Sequence, residues 1–427
     1  MPYQITTTSS CPWTSKNLAL SWSTPDATLT LGKDFPQAHP WRGFGGCFNE
    51  LGWDALLSLV PEQRTAILES LFGVDGCRFT HCRLPIGASD YALEWYSHNE
   101  HPGDLAMSQF SVMRDEKYLI PYIKAAQAIQ PDLEFFASPW SPPTWMKHPR
   151  AYNYGTLIRT PEILKAYALY FVKFVQAYAQ RGIKISQIHP QNEPVADQKF
   201  PSCLWTGSEM VDFIRDYLAP AFRKHGIKAE IYLGTLNTDN FDEFFLPAFV
   251  ESQGTISGVG LQWAGKGMVQ RVHRAFPALS ISQTENECGD GKQTWAYAEH
   301  VFRLLQHYLT NGASAYVYWN MVVEPGGRST WGWNQNAMIT VDKTTREVVY
   351  THEFHLMKHF AHFIRPGARL LEVSGELASN AVVMKNPDEK LIAVVHNPLS
   401  RPLCLNIHSS ESYGAELPPH SFSTFAL

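Results

Sequence analysis

Between Trp41 and Arg365 the 427-residue sequence alternates short apolar runs with longer segments of helical spacing, eight times over. The runs expected as strands are Gly43–Phe48, Cys77–Leu84, Leu133–Ser138, Ile183–Glu193, Ala229–Gly234, Gly258–Trp263, Leu279–Glu285 and Ala313–Asn320. Helices are expected after them at Pro61–Phe72, Tyr118–Gln130, Pro161–Gly182, Thr206 to near Gly226, Phe241–Val250, Val269–Ala275, Thr294–Thr310 and Glu353–Ile364. The third is the clearest. Pro161 suits a first turn, Gly182 suits a stop, and Leu164, Tyr167, Ala168, Phe171, Val175 and Tyr178 form one apolar stripe. Thr206 and Glu209 have capping-box spacing before the next helix. Strands alternating with helices predict parallel pairing, and eight units predict closure into a (β/α)8 TIM barrel.

Both flanks read differently. Residues 1–40 carry short alternating runs around Pro25 and no helical partner. After Arg365-Pro366-Gly367 strand texture returns at Val382–Met384, Leu391–Val395 and Leu403–Ile407. About 60 residues make a poor independent core. The expected organisation is therefore a β-sandwich side domain built from residues 1–40 and 366–427, attached to a catalytic barrel of residues 41–365.

The formal net charge is -5 and no dense Lys/Arg run occurs. Nucleic acid is not an expected partner, nor is an anionic membrane. No stretch approaches the roughly 18 apolar residues of a membrane span. The start, Met1-Pro2-Tyr3-Gln4-Ile5-Thr6, has neither a charged beginning nor an apolar run. A soluble chain is expected, cytoplasmic or secreted with its signal removed. The oligomeric state stays open. Seven scattered cysteines read as reduced thiols. Cys77 and Cys82, five apart on an expected strand, should face opposite ways and hold no metal. The sequence has no G-x-S-x-G elbow, Walker loop or H-E-x-x-H helix, and no metal or cofactor is expected.

In a barrel enzyme the chemistry collects where strands end. Glu50, Asp90, Glu193, Glu285, Glu287 and Glu324 all stand there. Two carboxyl groups facing each other across a barrel mouth are the minimum equipment for glycoside hydrolysis. Glu193 closes an apolar-rich segment that Pro194 breaks, and its neighbour Asn192 can donate to a sugar hydroxyl. Neighbours on a regular strand point to opposite faces, so both reach a sugar only if the strand bulges or ends at Asn192. Glu287 shares the strand parity of Glu285 and is its rival. Thirteen Trp include several in polar, loop-like surroundings: Trp95, Trp140, Trp145, Trp205, Trp331 and Trp333. Such rings stack on the flat C–H faces of a sugar, although packing is the default use of any one of them.

The stretch His189-Pro190-Gln191-Asn192-Glu193-Pro194 resembles the acid/base motif of barrel glycosidases whose carboxylates lie on strands four and seven. More narrowly, the chain resembles glycoside hydrolase family 30, with glucocerebrosidase-like and β-1,6-glucanase-like members. Arg42–Gly46 and Arg83–Asp90 match its first two strand motifs, and Ala137–Lys147 is the most specific match. Thr284-Glu285 resembles the nucleophile position and Tyr318-Trp319-Asn320 the eighth strand. Two segments depart from the pattern. Gln262-Trp263-Ala264-Gly265-Lys266 stands where glucocerebrosidase has His-Trp-Tyr, and Glu324–Trp333 matches only in part. The lipid-facing loops of glucocerebrosidase are not recognisable, so ceramide is not carried over.

The resemblance implies a barrel with a β-sandwich from both termini. It implies Glu193 as acid/base and Glu285, rather than Glu287, as nucleophile. It places Asp90 on two hydroxyls of the sugar's far edge, with Trp140, Asn192, Trp263, Trp319 and Trp333 as further substrate contacts. Arg83 becomes a buried partner that keeps Glu285 ionised. Cys288 and His189 are expected to be structural. The expected activity is a retaining β-glycosidase on β-linked glucose-type units, either β-glucosidase or β-1,6-glucanase. β-Xylosidase and β-fucosidase are alternatives on the same scaffold. A non-catalytic glycan-binding protein is the rival class, favoured by loss of a catalytic carboxylate, and neither is lost.

Overall fold

A computed structural model describes residues 2–36, 39–252 and 254–427. Met1, Gln37 and Ala38 of the expected N-terminal segment lie outside the described residues. Eight strands close into a barrel: β1 (Gly43–Cys47), β2 (His81–Pro85), β3 (Glu134–Ser138), β4 (Ile185–Ile188), β5 (Glu230–Leu236), β6 (Gly258–Gln262), β7 (Ser280–Glu285) and β8 (Ala313–Asn320). Each pairs in parallel with the next, and β8 closes on β1. Every residue of β1, β2, β6, β7 and β8 is buried, as expected of parallel strands covered by helices outside and filled by side chains inside.

Two glycines are needed where strands come close. A Cβ on Gly45 would stand 1.8 Å from the His81 carbonyl oxygen. A Cβ on Gly260 would stand 2.5 Å from His189 Nδ1. The His189 ring fills that space and packs against Phe136 and Tyr232, so it belongs to the barrel core.

The helix Pro161–Gln180 starts as expected, with Thr160 Oγ1 accepting from the Ile163 N–H, and its apolar stripe is buried. The capping box at Thr206 and Glu209 is formed. The helix beyond it is Gly207–Phe213, a π-helical turn Ile214–Leu218, then Ala219–His225. Pro220 has no N–H to continue the regular ladder there.

Two expectations need correction. β2 begins at His81 rather than Cys77, because Arg78 takes a left-handed conformation (φ 58) that an extended strand cannot contain. Cys77 therefore precedes the strand, and the alternation argument about Cys77 and Cys82 does not apply; both are buried free thiols. A helix, Glu50–Leu57, also precedes the expected one at Pro61–Phe72, capped by Asn49.

Outside the barrel, and apart from a three-stranded and a two-stranded sheet in its loops, the strands among the described residues form one ladder of ten. Tyr3–Thr8 lies between Thr14–Asn17 and Ser421–Ala426. Ala27–Asp34 lies between Arg369–Ser374 and Leu403–His408. Both chain ends are thus interleaved, as a shared side domain requires. Alternation divides the faces. Val383, Val395 and Phe425 meet Leu29, Leu405 and Ile407 in an inner core, so the two halves of the ladder face each other. Val382, Met384, Val394 and Phe422 point the other way, into the core shared with the barrel helices. His359 on the helix His352–Ala361 ties the two layers, bonding Thr7 Oγ1 (2.9 Å) and Thr424 Oγ1 (2.8 Å). Among the described residues no helix is long and apolar enough to cross a membrane.

Candidate active site

β4 ends at Ile188, and the chain then runs irregularly to Glu193. Asn192 N–H donates to the Pro139 carbonyl (2.7 Å) and Glu193 N–H to the Thr235 carbonyl (3.0 Å), fixing the turn to the ends of β3 and β5. Glu193 itself is left-handed, at φ 51. This conformation costs a non-glycine residue on the order of 1–3 kcal/mol. It also breaks the strand alternation, so both Asn192 and Glu193 border the same cavity. The facing problem is solved by ending the strand.

That cavity has a volume of about 680 Å³. Asp90, Trp140, Asn192, Glu193, Trp263, Glu285, Trp331 and Trp333 all line it. At its floor sits Arg83, fully buried on β2. Its Nη1 donates to Glu285 Oε2 (2.8 Å) and its Nη2 to Asn192 Oδ1 (2.6 Å) and Ser138 Oγ (2.8 Å). The guanidinium lies 4.4 Å from the centre of the Trp140 ring. Because arginine only donates, Asn192 must present its oxygen to Arg83. Its amide nitrogen is left for the cavity. Trp263 Nε1 donates to the other Glu285 oxygen, Oε1 (3.1 Å).

The two glutamates have unlike surroundings. Burial pushes Glu193 from 4.5 up to about 8, and the charge of Glu285 adds to the rise. Burial also raises Glu285, but Arg83 and Trp263 both oppose that rise by favouring its anion. Among the described residues the side-chain donor to Glu193 is a neutral amide, Gln262 Nε2 (3.1 Å). The donors therefore favour the proton on Glu193 and the charge on Glu285. Asp90 is raised well above the usual carboxylate range, first by burial and then by the charges of Glu285 and Glu193. Its Oδ1 is buried without a partner among the described residues. An acceptor left bare at a cavity wall is positioned for a ligand hydroxyl.

Other expected residues fall into place differently. Trp319 is 2% exposed, packs against Trp140 and donates to Gln335 Oε1 (2.7 Å); it supports the cavity wall without lining it. Trp333 is on the wall, its ring beside Trp263. Trp145 bonds the Asn99 carbonyl and Trp205 lies under Arg159, both packing roles away from the cavity. Cys288 is buried in the cluster behind Trp140. Glu287 points away and pairs with Lys266 and His300, each at 2.7 Å. Glu50 pairs with Arg114 and Glu324 with Lys343.

Trp331, named only among loop tryptophans able to stack on a sugar, and Gln262, named only as a departure from the family pattern, were not assigned to the site. Trp331 lines the cavity with its Nε1 buried and unpartnered among the described residues. A tryptophan in the polar loop after β8 was the available signal. Gln262 ends β6 as a buried polar residue, at the point where the chain leaves the family pattern. Among the described residues no group of three or more His, Cys, Asp or Glu is placed to hold a metal.

Comparison with known proteins bears on the family and the fold. The model of the glycosyl hydrolase family 30 TIM-barrel domain matches residues 41–364. The lysosomal acid glucosylceramidase of Mus musculus is 27% identical over 418 residues, covering 89% of this chain and 78% of that protein. The endo-1,6-beta-D-glucanase of Neurospora crassa is 27% identical over 355 residues, covering 78% of this chain and 72% of that protein. The crystal structure of SrfJ from Salmonella typhimurium superimposes with a TM-score of 0.91 at 24% identity, covering 100% of this chain and 99% of that one.

Proposed function

The chain belongs to glycosyl hydrolase family 30 and is a glycoside hydrolase; from that premise we propose a retaining β-glycosidase that removes β-linked glucosyl units. Glu193 is the acid/base and Glu285 the nucleophile. The observation that carries this reading is the unequal supply of donors. Glu285 holds a guanidinium and an indole N–H, whereas Glu193 holds one neutral amide.

The steps follow from that inequality. The Glu193 O–H bond breaks and its proton passes to the glycosidic oxygen. The bond from that oxygen to the anomeric carbon breaks, and its electron pair leaves with the alcohol. A Glu285 oxygen forms the new bond to the anomeric carbon. With its own proton gone, Glu193 takes one from water, whose oxygen then displaces Glu285. Two inversions give net retention.

Asp90, with its bare oxygen, favours a glycone rich in hydroxyls. The two relatives above are named for a glucosyl unit, which supports glucose. Behind Asp90 the loops after β2 and β8 are tied together. Tyr91 Oη donates to the Gly327 carbonyl and Thr330 Oγ1 to the Asp90 carbonyl. This tie supports a closed glycone end and removal of a terminal unit. The test is a panel of aryl β-glycosides and short β-glucans followed by NMR. The expected first product is β-glucose from a chain end. An α-anomer, or preference for a β-xyloside, would overturn the reading.

A further inference from the structure

We propose that Gln262 is a positioning residue: its side-chain amide assigns the proton of Glu193 to Oε2 and so sets the direction in which the acid delivers it. This rests on the reading of Glu193 as the acid.

The orientation of the Gln262 amide is fixed by chemistry. Its Oε1 lies 3.2 Å from Arg83 Nη1 and 2.9 Å from Thr284 Oγ1. Arginine carries donors only, so the atom facing it must be the amide oxygen. Nε2 then has two hydrogens to place. One goes to Glu193 Oε1 (3.1 Å) and the other to Asn192 Oδ1 (3.3 Å). Gln262 is 0% exposed, so neither hydrogen has water as an alternative.

A protonated carboxyl group has one carbonyl oxygen and one hydroxyl oxygen. The carbonyl oxygen is the better acceptor, and a proton on Oε1 would oppose the incoming N–H. The amide therefore holds Oε1 as the carbonyl. The proton is left to Oε2, on a residue of the cavity wall. A titratable side chain at position 262 could donate or accept according to pH. Glutamine carries the Arg83 polarity across to Glu193 without changing its own charge.

The test uses leaving groups of different need. A 2,4-dinitrophenyl β-glucoside leaves without protonation, whereas a β-1,6-linked glucose disaccharide needs the acid. General-acid help is worth about 10²–10⁴-fold. In Gln262→Met, kcat/KM on the disaccharide should fall by about 100-fold or more and on the dinitrophenyl glucoside by about 5-fold or less. Gln262→Glu keeps the acceptor for Arg83 and Thr284 but replaces the donor, and it should show the same split should the Met variant not fold. Glu193→Ala on the same substrates is the reference. If Glu193→Ala shows the split and the folded Gln262 variants lose both substrates equally, the role of Gln262 is overturned. If Glu193→Ala itself loses both equally, the acid assignment has failed instead.

Discussion

Arg83 and Glu285 form a buried ion pair, Nη1 to Oε2 at 2.8 Å, and the same guanidinium holds Asn192 at 2.6 Å. One side chain thus orients a residue after β4 and a residue ending β7. The barrel core supplies the rigidity: Trp140 stacks on the guanidinium and Trp319 packs behind Trp140. The site has three carboxyl groups on its walls and one guanidinium at its floor. Burial raises all three carboxyl groups, like charges add to the rise at Asp90 and Glu193, and Arg83 opposes it most directly at Glu285.

Arg83→Lys should test that geometry. Lysine keeps the charge but cannot span Glu285, Ser138 and Asn192 with a planar fork. Losing a hydrogen bond to a charged group costs about 1.5–3 kcal/mol, so kcat/KM should fall by about 10- to 100-fold with the fold retained. Arg83→Met would strand a buried carboxylate and should destabilise by about 3–5 kcal/mol. Activity assays and denaturant melts distinguish the two. Unchanged kcat/KM in Arg83→Lys would remove Arg83 from the pair's control.

Asp90→Asn keeps the shape of a buried acceptor but makes half of it a donor. Transition-state binding of the glycone should weaken by about 1–3 kcal/mol, the cost of a buried hydrogen-bond partner left mismatched. Discrimination between β-glucoside and β-xyloside should narrow. Kinetic constants on both aryl glycosides read this directly, and a variant with wild-type kcat/KM on the glucoside would place Asp90 outside the glycone site.

The pH dependence follows from Glu193. As the acid it must be protonated, so kcat/KM should decline above about pH 8. Its folded value lies above its ordinary 4.5, so between the two the unfolded chain binds fewer protons than the folded one. Stability from this group is full below about pH 4.5 and is lost as pH rises toward about 8. Glu193→Gln cannot ionise and should overtake wild type in stability across that window, by a few kcal/mol as an order of magnitude. Denaturant melts at several pH values measure it. A constant difference between the two proteins would contradict the burial of the carboxyl group.

The barrel was legible because its signals are local and repeated: period, capping residues and a proline or glycine at helix ends. Thr206 with Glu209 and Pro161 with Gly182 are examples. The start of β2 was not legible, since it depends on the backbone angle of Arg78. Interleaving of both termini was legible as a need for partners, whereas the order of ten strands was not, because pairing is set by distant contacts. At the site, the carboxylates could be read from strand ends. Trp319 and Trp331 could not be sorted into support and cavity wall, since that depends on which ring another side chain covers. Glu285 and Glu287 share a parity, and it is Lys266 and His300 that draw Glu287 away.

The side domain gives a prediction about the N-terminus. Removing residues 1–34 takes Tyr3–Thr8 and Ala27–Asp34 from inside the ladder and leaves new edges at Ser421–Ala426, Arg369–Ser374 and Leu403–His408. It also strips one partner from buried His359. Unpaired edges and exposed apolar faces promote association. The truncated chain should be aggregated in size-exclusion chromatography. A monodisperse, fully active truncation would show that the barrel does not need this segment.

The two glutamates can be separated by the stereochemistry of azide products. In a retaining enzyme the carboxyl groups stand about 5–5.5 Å apart, leaving no room for a water on the nucleophile side. Glu285→Ala vacates that side. Azide should enter it and attack the anomeric carbon directly while Glu193 protonates the leaving group, giving an α-glycosyl azide. Glu193→Ala keeps the nucleophile. With a dinitrophenyl leaving group the glycosyl-enzyme still forms, and azide then attacks it from the opposite face, giving a β-glycosyl azide. Glu287→Ala is the internal control. Its carboxylate is held by Lys266 and His300, and burial is outweighed there by those partners, which lower its pKa. A group so paired is a weak nucleophile turned away from the cavity, so Glu287→Ala should retain hydrolysis and yield no α-azide. NMR coupling constants identify each anomer. The same anomer from Glu193→Ala and Glu285→Ala, or an α-azide from Glu287→Ala with an active Glu285→Ala, would move the nucleophile away from Glu285.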